Sequence, residues 1–199
     1  AAAGLYHASQ KPQFYQDGGI LKERGIPFIA VPTTAGTGSE ATCNAVIINS
    51  ENKRKLSIRD TGFIARTVIL DVELLRGIPP AALSYSGMDA LVQAYESYVS
   101  RNATWFTESL ALKSIELINH NIVSAYQYGD DESLSALLLG SYLGGLAFGH
   151  SRLGVIHGIA HPLGVIYDIP HGLICSLCFI PSLRINRQAM GAKRDVMSS

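Results

Sequence analysis

The chain has 199 residues, with 16 lysines and arginines against 16 aspartates and glutamates, so its formal net charge is zero. A composition of 47% hydrophobic and 16% charged residues is globular and excludes a disordered chain, and the length suffices for one domain or two small ones with a real core. The balanced charge and the single Trp exclude a phosphate-neutralising stripe or a base-stacking platform, so no nucleic-acid partner is expected.

In chain order, the opening AAAGLYHASQ lacks the basic start and long apolar run of a signal peptide and reads as the tail of a small-residue helix. The run FIAV at 28–31, bracketed by Pro27 and Pro32, predicts a fully buried strand at the heart of a parallel sheet. After a Gly/Thr-rich loop, AVIIN and KLSI flank polar turn residues and predict a hairpin over 45–58. TVILD at 67–71 is a second strand candidate whose Asp71 is placed to cap the next element. The pair Pro79 and Pro80 cannot lie inside an element, and from there Ala, Leu and Ser recur at helical spacing. We read 1–78 as a partial α/β unit and 79–199 as a helical one, with helices over 80–100, 104–127, 132–149, 151–163 and 171–180. The fold class is thus α/β plus all-α. The most membrane-like run, 134–149, is shorter than the ~20 apolar residues a spanning helix needs and is ended by His150, Ser151 and Arg152, so a buried core helix and no membrane partner are expected.

Four of the six histidines, His150, His157, His161 and His171, fall within one short stretch. His157 and His161 are four apart on a helix and share a face, and His171 follows Pro170 close enough to fold back toward them. Gly158 stands where a zincin would carry its catalytic Glu, which removes that reading. Neutral imidazoles holding a metal call for an anionic partner. Asp89, in the apolar segment GMDALVQAYESY, needs a cation, and Gln93 lies one turn further on the same face. The alternative is that these are ordinary polar helix residues satisfied by backbone and water. The loop PTTAGTGSEAT at 32–42 offers hydroxyls around Gly36 and Gly38 and suits either phosphate or ribose binding or a plain tight loop. Its literal G-x-G-x-x-A match is discounted, because a hairpin and not a helix comes after it. Cys43, Cys175 and Cys178 are too few for a disulfide scaffold and fit a reducing compartment, so a cytoplasmic location is expected. Cys175 and Cys178 form a CxxC inside the apolar run LICSLCFI, with no adjacent Lys, and read as core.

Taken together, PTTAGTGSE at 32–40, ILDVELLRGIPP at 69–80, GMDALVQAYESY at 87–98 and HGIAHPLGVIYDIPHG at 157–172 resemble the iron-containing, or group III, alcohol dehydrogenases. The resemblance implies a dehydroquinate-synthase-like fold, with an α/β part for NAD(P) and a helical part for a divalent metal, Fe2+ or Zn2+. It implies metal ligands at Asp89, Gln93, His157 and His171, Gln93 standing where the family has His. It implies a proton-relaying role for His161, and cofactor contacts from Thr33, Thr34, Thr37 and Lys55. The implied activity is hydride transfer between NAD(P) and an alcohol/aldehyde pair. The implied substrate is therefore a small alcohol or aldehyde. The family's glycine-rich pyrophosphate loop and its closing helices are expected outside this sequence, so the chain reads as a fragment, with exposed apolar surface and a tendency to homo-oligomerise. A non-catalytic or truncated member, serving as a metal-binding or oligomerising module, is the alternative.

Overall fold

A computed structural model describes residues 1–49, 54–187 and 189. The first part carries a short helix α1 (Pro12–Gln16) and four strands: β1 (Ile29–Ala30), β2 (Asn44–Asn49), β3 (Arg54–Arg59) and β4 (Thr67–Val68). β1 and β4 pair in parallel, and β2 and β3 form an antiparallel ladder from Asn44↔Arg59 to Asn49↔Arg54. The hairpin is the one predicted, and residues 50–53 at its turn lie outside the described residues. Asp71 does act as a cap: its carboxylate accepts a hydrogen bond from the Glu73 amide at 3.0 Å and opens the 3-10 turn Val72–Leu75.

Two expectations for this part need correction. Residues 1–7 form turns and no regular helix, since Ala1–Leu5 closes one i,i+4 bond that is not continued. The FIAV strand is not fully buried, with Ile29 62% and Val31 43% exposed. A parallel strand is buried when neighbours and helices cover it, and here β1 has one described neighbour of two residues.

The helical part matches the prediction closely: α2 (Pro80–Val99), α3 (Trp105–Tyr128), α4 (Asp131–Ser151), α5 (Val155–Tyr167) and α6 (His171–Asn186). Pro80 begins α2 where its missing N–H costs nothing. The Thr104 and Thr107 hydroxyls reciprocally accept each other's backbone N–H at 3.4 and 2.9 Å to cap α3. Gly129, at φ 62°, ends α3, and the Asp130 carboxylate accepts from the Ser133 amide at 2.9 Å to start α4. Each such cap stabilises its helix by about 1 kcal/mol. The fifth helix begins at Val155 and not at 151, since Ser151 still belongs to α4, and runs on to Tyr167, while α6 runs past 180 through Pro181 to Asn186.

The centre of the molecule is α2, in which every residue from 89 to 98 is buried. It is enclosed by α3 and α4 on one side, through Leu83, Ala90, Leu91, Ile118, Leu134, Leu137 and Leu138, and by α5 and α6 on the other, through Val92, Ile156, Ala160, Ile174 and Cys175. The glycine-rich run of α4 is core, as expected: a Cβ on Gly140 would lie 2.7 Å from the Ile118 side chain. Among the described residues, no helix is long and apolar enough to cross a membrane.

Candidate metal centre

A helix buried on all sides is ordinarily apolar all round, yet α2 buries Asp89, Gln93 and Glu96 in its middle two turns. A carboxylate so placed requires a cation or strong donors. α5 and α6 supply them. α5 brings His157 against α2, its Nδ1–H donating to Glu96 Oε2 at 2.7 Å and its Nε2–H to Asp89 Oδ1 at 3.2 Å. The start of α6 brings His171, whose Nε2 lies 3.6 Å from the same Asp89 oxygen. This helix can approach because residue 172 is glycine: a Cβ there would sit 2.0 Å from the backbone oxygen of Tyr85 on α2.

The electrostatics arise from this packing. Burial alone would push the His157 imidazole down, but hydrogen bonds to Asp89, Cys175 and Glu96 carry it up to about 11. Burial likewise would raise both carboxyls, and their pairing with His157 outweighs it and leaves Asp89 and Glu96 below their ordinary values. Burial moves His161 the other way, to about 4, helped by the positive charges of His171, Lys55 and His157. Its ring stacks on His171, with centroids 5.0 Å apart at 14°.

Of the four clustered histidines, three therefore meet; His150 sits exposed on the last turn of α4. Lys55, on β3, reaches the same neighbourhood, since its charge bears on both His161 and His171. Thr33, Thr34 and Thr37 are exposed on the loop before the 3-10 turn Ser39–Ala41, with the Thr37 hydroxyl donating to Ser39 Oγ at 3.2 Å. That loop is seated on α4: Gly38 adopts φ 54°, and a Cβ on it would lie 2.7 Å from Gly145 Cα. Gln93 is buried on α2, and its Oε1 makes no hydrogen bond. Two residues escaped the sequence reading. Glu96 lies seven positions after Asp89, two turns along the same face, and that spacing was its signal. Cys175 is core, as expected, yet its Sγ also lies 3.6 Å from Asp89 Oδ1, 3.7 Å from His171 Nε2 and 3.9 Å from His157 Nε2.

These donors fit a divalent ion. Bonds of about 2.0–2.2 Å to nitrogen and oxygen in tetrahedral array set neighbouring ligand atoms about 3.3–3.6 Å apart. The Asp89–His157 and Asp89–His171 separations of 3.2 and 3.6 Å are of that size. One donor atom from each of Asp89, His157, His171 and Cys175 can be chosen so that all four lie within 4.8 Å of one another. Gln93, one turn along α2 from Asp89, keeps a buried oxygen without a partner, at a cost of ~1–3 kcal/mol. Glu96 completes the arrangement as the carboxylate that orients a ligating histidine through its other ring nitrogen.

A strand-bearing part is thus joined to a helical bundle with an Asp/His cluster at its centre. Two family models cover nearly all of it. "Iron-containing alcohol dehydrogenase" matches residues 1–72, and "Fe-containing alcohol dehydrogenase family, C-terminal" matches residues 83–198. The chain belongs to the iron-containing alcohol dehydrogenase family. It is 37% identical over 172 residues to the lactaldehyde reductase of Escherichia coli K12, an alignment covering 86% of this chain and 45% of that protein. It is 38% identical over 175 residues to alcohol dehydrogenase 4 of Saccharomyces cerevisiae, covering 87% and 46%. Among solved structures it superposes on sulfoacetaldehyde reductase from Bifidobacterium kashiwanohense in complex with NAD+ with a TM-score of 0.89 at 32% identity, covering 94% of this chain and 50% of that one. On 1,3-propanediol oxidoreductase the TM-score is 0.87 at 35% identity, with 94% and 49% covered. The chain spans about half the length of the curated relatives it matches.

Proposed function

We propose that this chain belongs to a metal-dependent oxidoreductase that transfers hydride between NAD(P) and a small alcohol/aldehyde pair. One observation carries the reading: the convergence of Asp89, His157 and His171 from three helices onto one buried point. The names of the relatives support the substrate class, and the structure with NAD+ supports the cofactor. Asp89, His157 and His171 would hold Fe2+ or Zn2+, with Gln93 and Cys175 as the two side chains available for a fourth position. Lewis acidity toward the alcohol oxygen is the chemistry such an ion supplies when bound, and hydride acceptance is that of the nicotinamide.

The chain's own residues do the rest. Glu96 holds the Nδ1 proton of His157 and so leaves Nε2 to face Asp89. His161, stacked on His171 with its Nδ1 unpaired, is the residue placed to relay the hydroxyl proton. Lys55 supplies positive charge toward the cofactor phosphates, and Thr33, Thr34 and Thr37 offer hydroxyls to the same molecule. His171 is the most exposed of the three ligands, at 24% of its side chain, so a small substrate approaches from its side. The division of labour falls at residues 78/79, cofactor before and metal after. The exposed apolar side chains in and beside β1 and β4, Ile29, Val31 and Ile69 among them, favour self-association.

The test is metal content by elemental analysis on protein purified without chelator, beside Asp89→Ala and His157→Ala. Near-stoichiometric iron or zinc, lost in both variants, is expected. Folded wild-type chain that binds no metal overturns the reading.

A further inference from the structure

The geometry points to Cys175 as the fourth metal ligand of this chain, in place of Gln93, making an Asp–His–His–Cys centre that selects Zn2+ over Fe2+. This rests on the metal centre proposed above and concerns which atoms complete it.

The distances carry the assignment. A tetrahedral ion with a sulfur ligand at about 2.3 Å and nitrogen or oxygen ligands at about 2.0–2.1 Å sets its sulfur about 3.5–3.6 Å from each of the other three. Sγ of Cys175 lies 3.6 Å from Asp89 Oδ1, 3.7 Å from His171 Nε2 and 3.9 Å from His157 Nε2. Five of the six separations among the four donors run from 3.2 to 3.9 Å and the His157–His171 pair lies within 4.8 Å, so the sulfur takes the fourth corner of an open tetrahedron that a bound ion would draw in. The local chain explains why. Cys175 is four residues after His171 on α6, so both project from one helical face, and the helix is drawn against α2 at Gly172. The same thiol is completely buried, which leaves it no solvent partner and no other described donor or acceptor than these three ligands.

The competing donor is Gln93. Its amide oxygen is neutral and hard, whereas a thiolate is anionic and soft, and for a borderline-soft ion such as zinc the thiolate is the stronger ligand. On coordination the thiol proton leaves to solvent, and the two anions Asp89 and Cys175 together balance the charge of the ion. An all-oxygen-and-nitrogen set at the same place would favour harder ions such as Fe2+ more than this one does.

X-ray absorption at the zinc edge, on the full chain loaded with one equivalent of Zn2+, reads the ligand set without any mutation. The expected spectrum has one sulfur scatterer at about 2.3 Å beside lighter ones at about 2.0–2.2 Å. The sulfur is lost in Cys175→Ser and kept in Cys178→Ser and Gln93→Ala. Zinc affinity falls more than 100-fold in Cys175→Ser, beyond the ~10–100-fold expected when only an orienting partner such as Glu96 is removed. With equal Fe2+ and Zn2+ offered anaerobically, the wild type retains zinc, and Cys175→Ser loses that preference. Stoichiometric zinc with only nitrogen and oxygen scatterers, or a sulfur that survives Cys175→Ser, overturns the assignment and leaves the metal centre standing. No zinc bound at all overturns both. Should Cys175→Ser fail to fold, the wild-type and Cys178→Ser spectra decide the matter.

Discussion

The two halves of the candidate site are built by different means. The proposed metal donors come from the middle of α2 and the first turns of α5 and α6, which pack on one another, so Asp89, His157 and Cys175 are buried by the same contacts that make the core. The residues proposed for the cofactor come from an exposed loop and a hairpin, where Thr33, Thr34 and Thr37 face solvent. Core packing therefore sets the geometry of the first half within this chain. The second half presents chemistry without enclosing it. A site drawn from the interior of a bundle is preorganised by folding itself, whereas one drawn from loops takes its shape from whatever it meets.

Breaking the interior half should have the largest effect. Asp89→Ala removes one of the two carboxylates that hold the buried His157 cation and leaves Glu96 as the other, so the loss is that of one hydrogen bond to a charged group, ~1.5–3 kcal/mol. Chemical denaturation of the metal-free protein measures it, and a change below ~1 kcal/mol, the level of an exposed ion pair, would show that the charges are not coupled in this way. Glu96→Gln keeps the packing but weakens the orientation of His157, so metal affinity should drop ~10–100-fold by competition titration with a chelator. Gly172→Ala drives a Cβ into the Tyr85 carbonyl and must push α6 off α2, at a cost of ~1–3 kcal/mol in stability together with weaker metal retention. Unchanged thermal stability in that variant would deny that this close approach positions the site.

The pH dependence sharpens the same contrast. His157 is raised to about 11 in the folded, metal-free chain, above its ordinary 6.5. Its contribution to stability is thus fully present below about pH 6.5 and is lost as pH rises through 11. Metal uptake at pH 7 must then expel the proton from His157 Nε2, which calorimetry in buffers of different ionisation enthalpy will register as proton release. The smallest effect belongs to the exposed half. Lys55→Ala should leave metal content intact while weakening NAD(P) binding several-fold and raising the His161 pKa, the latter read by NMR titration. Loss of metal in this variant would mean the two halves are not separable.

The helices were legible because Pro80, Thr104, Gly129, Asp130 and Pro170 punctuate the chain where helix ends demand them. The convergence of His157, His161 and His171 was legible too, by number and spacing. Cys175 was not, because a cysteine in an apolar run has the same pattern whether it packs against leucine or against a carboxylate. Its spacing of four from His171 puts it on that residue's face of α6, but whether the face meets leucine or a carboxylate depends on how α6 packs on α2, which the spacing does not encode. The FIAV strand misled for the converse reason, since an apolar run says what a segment would bury and not what lies beside it.

The seating of Gly38 on Gly145 has a mechanical consequence. It fastens a loop from the strand-bearing part directly onto the glycine-rich core helix, far along the chain from the proline pair that joins the two parts. Moving the threonine loop off the bundle would therefore have to break this backbone contact as well as turn at the prolines, so the two parts are joined at two places rather than one.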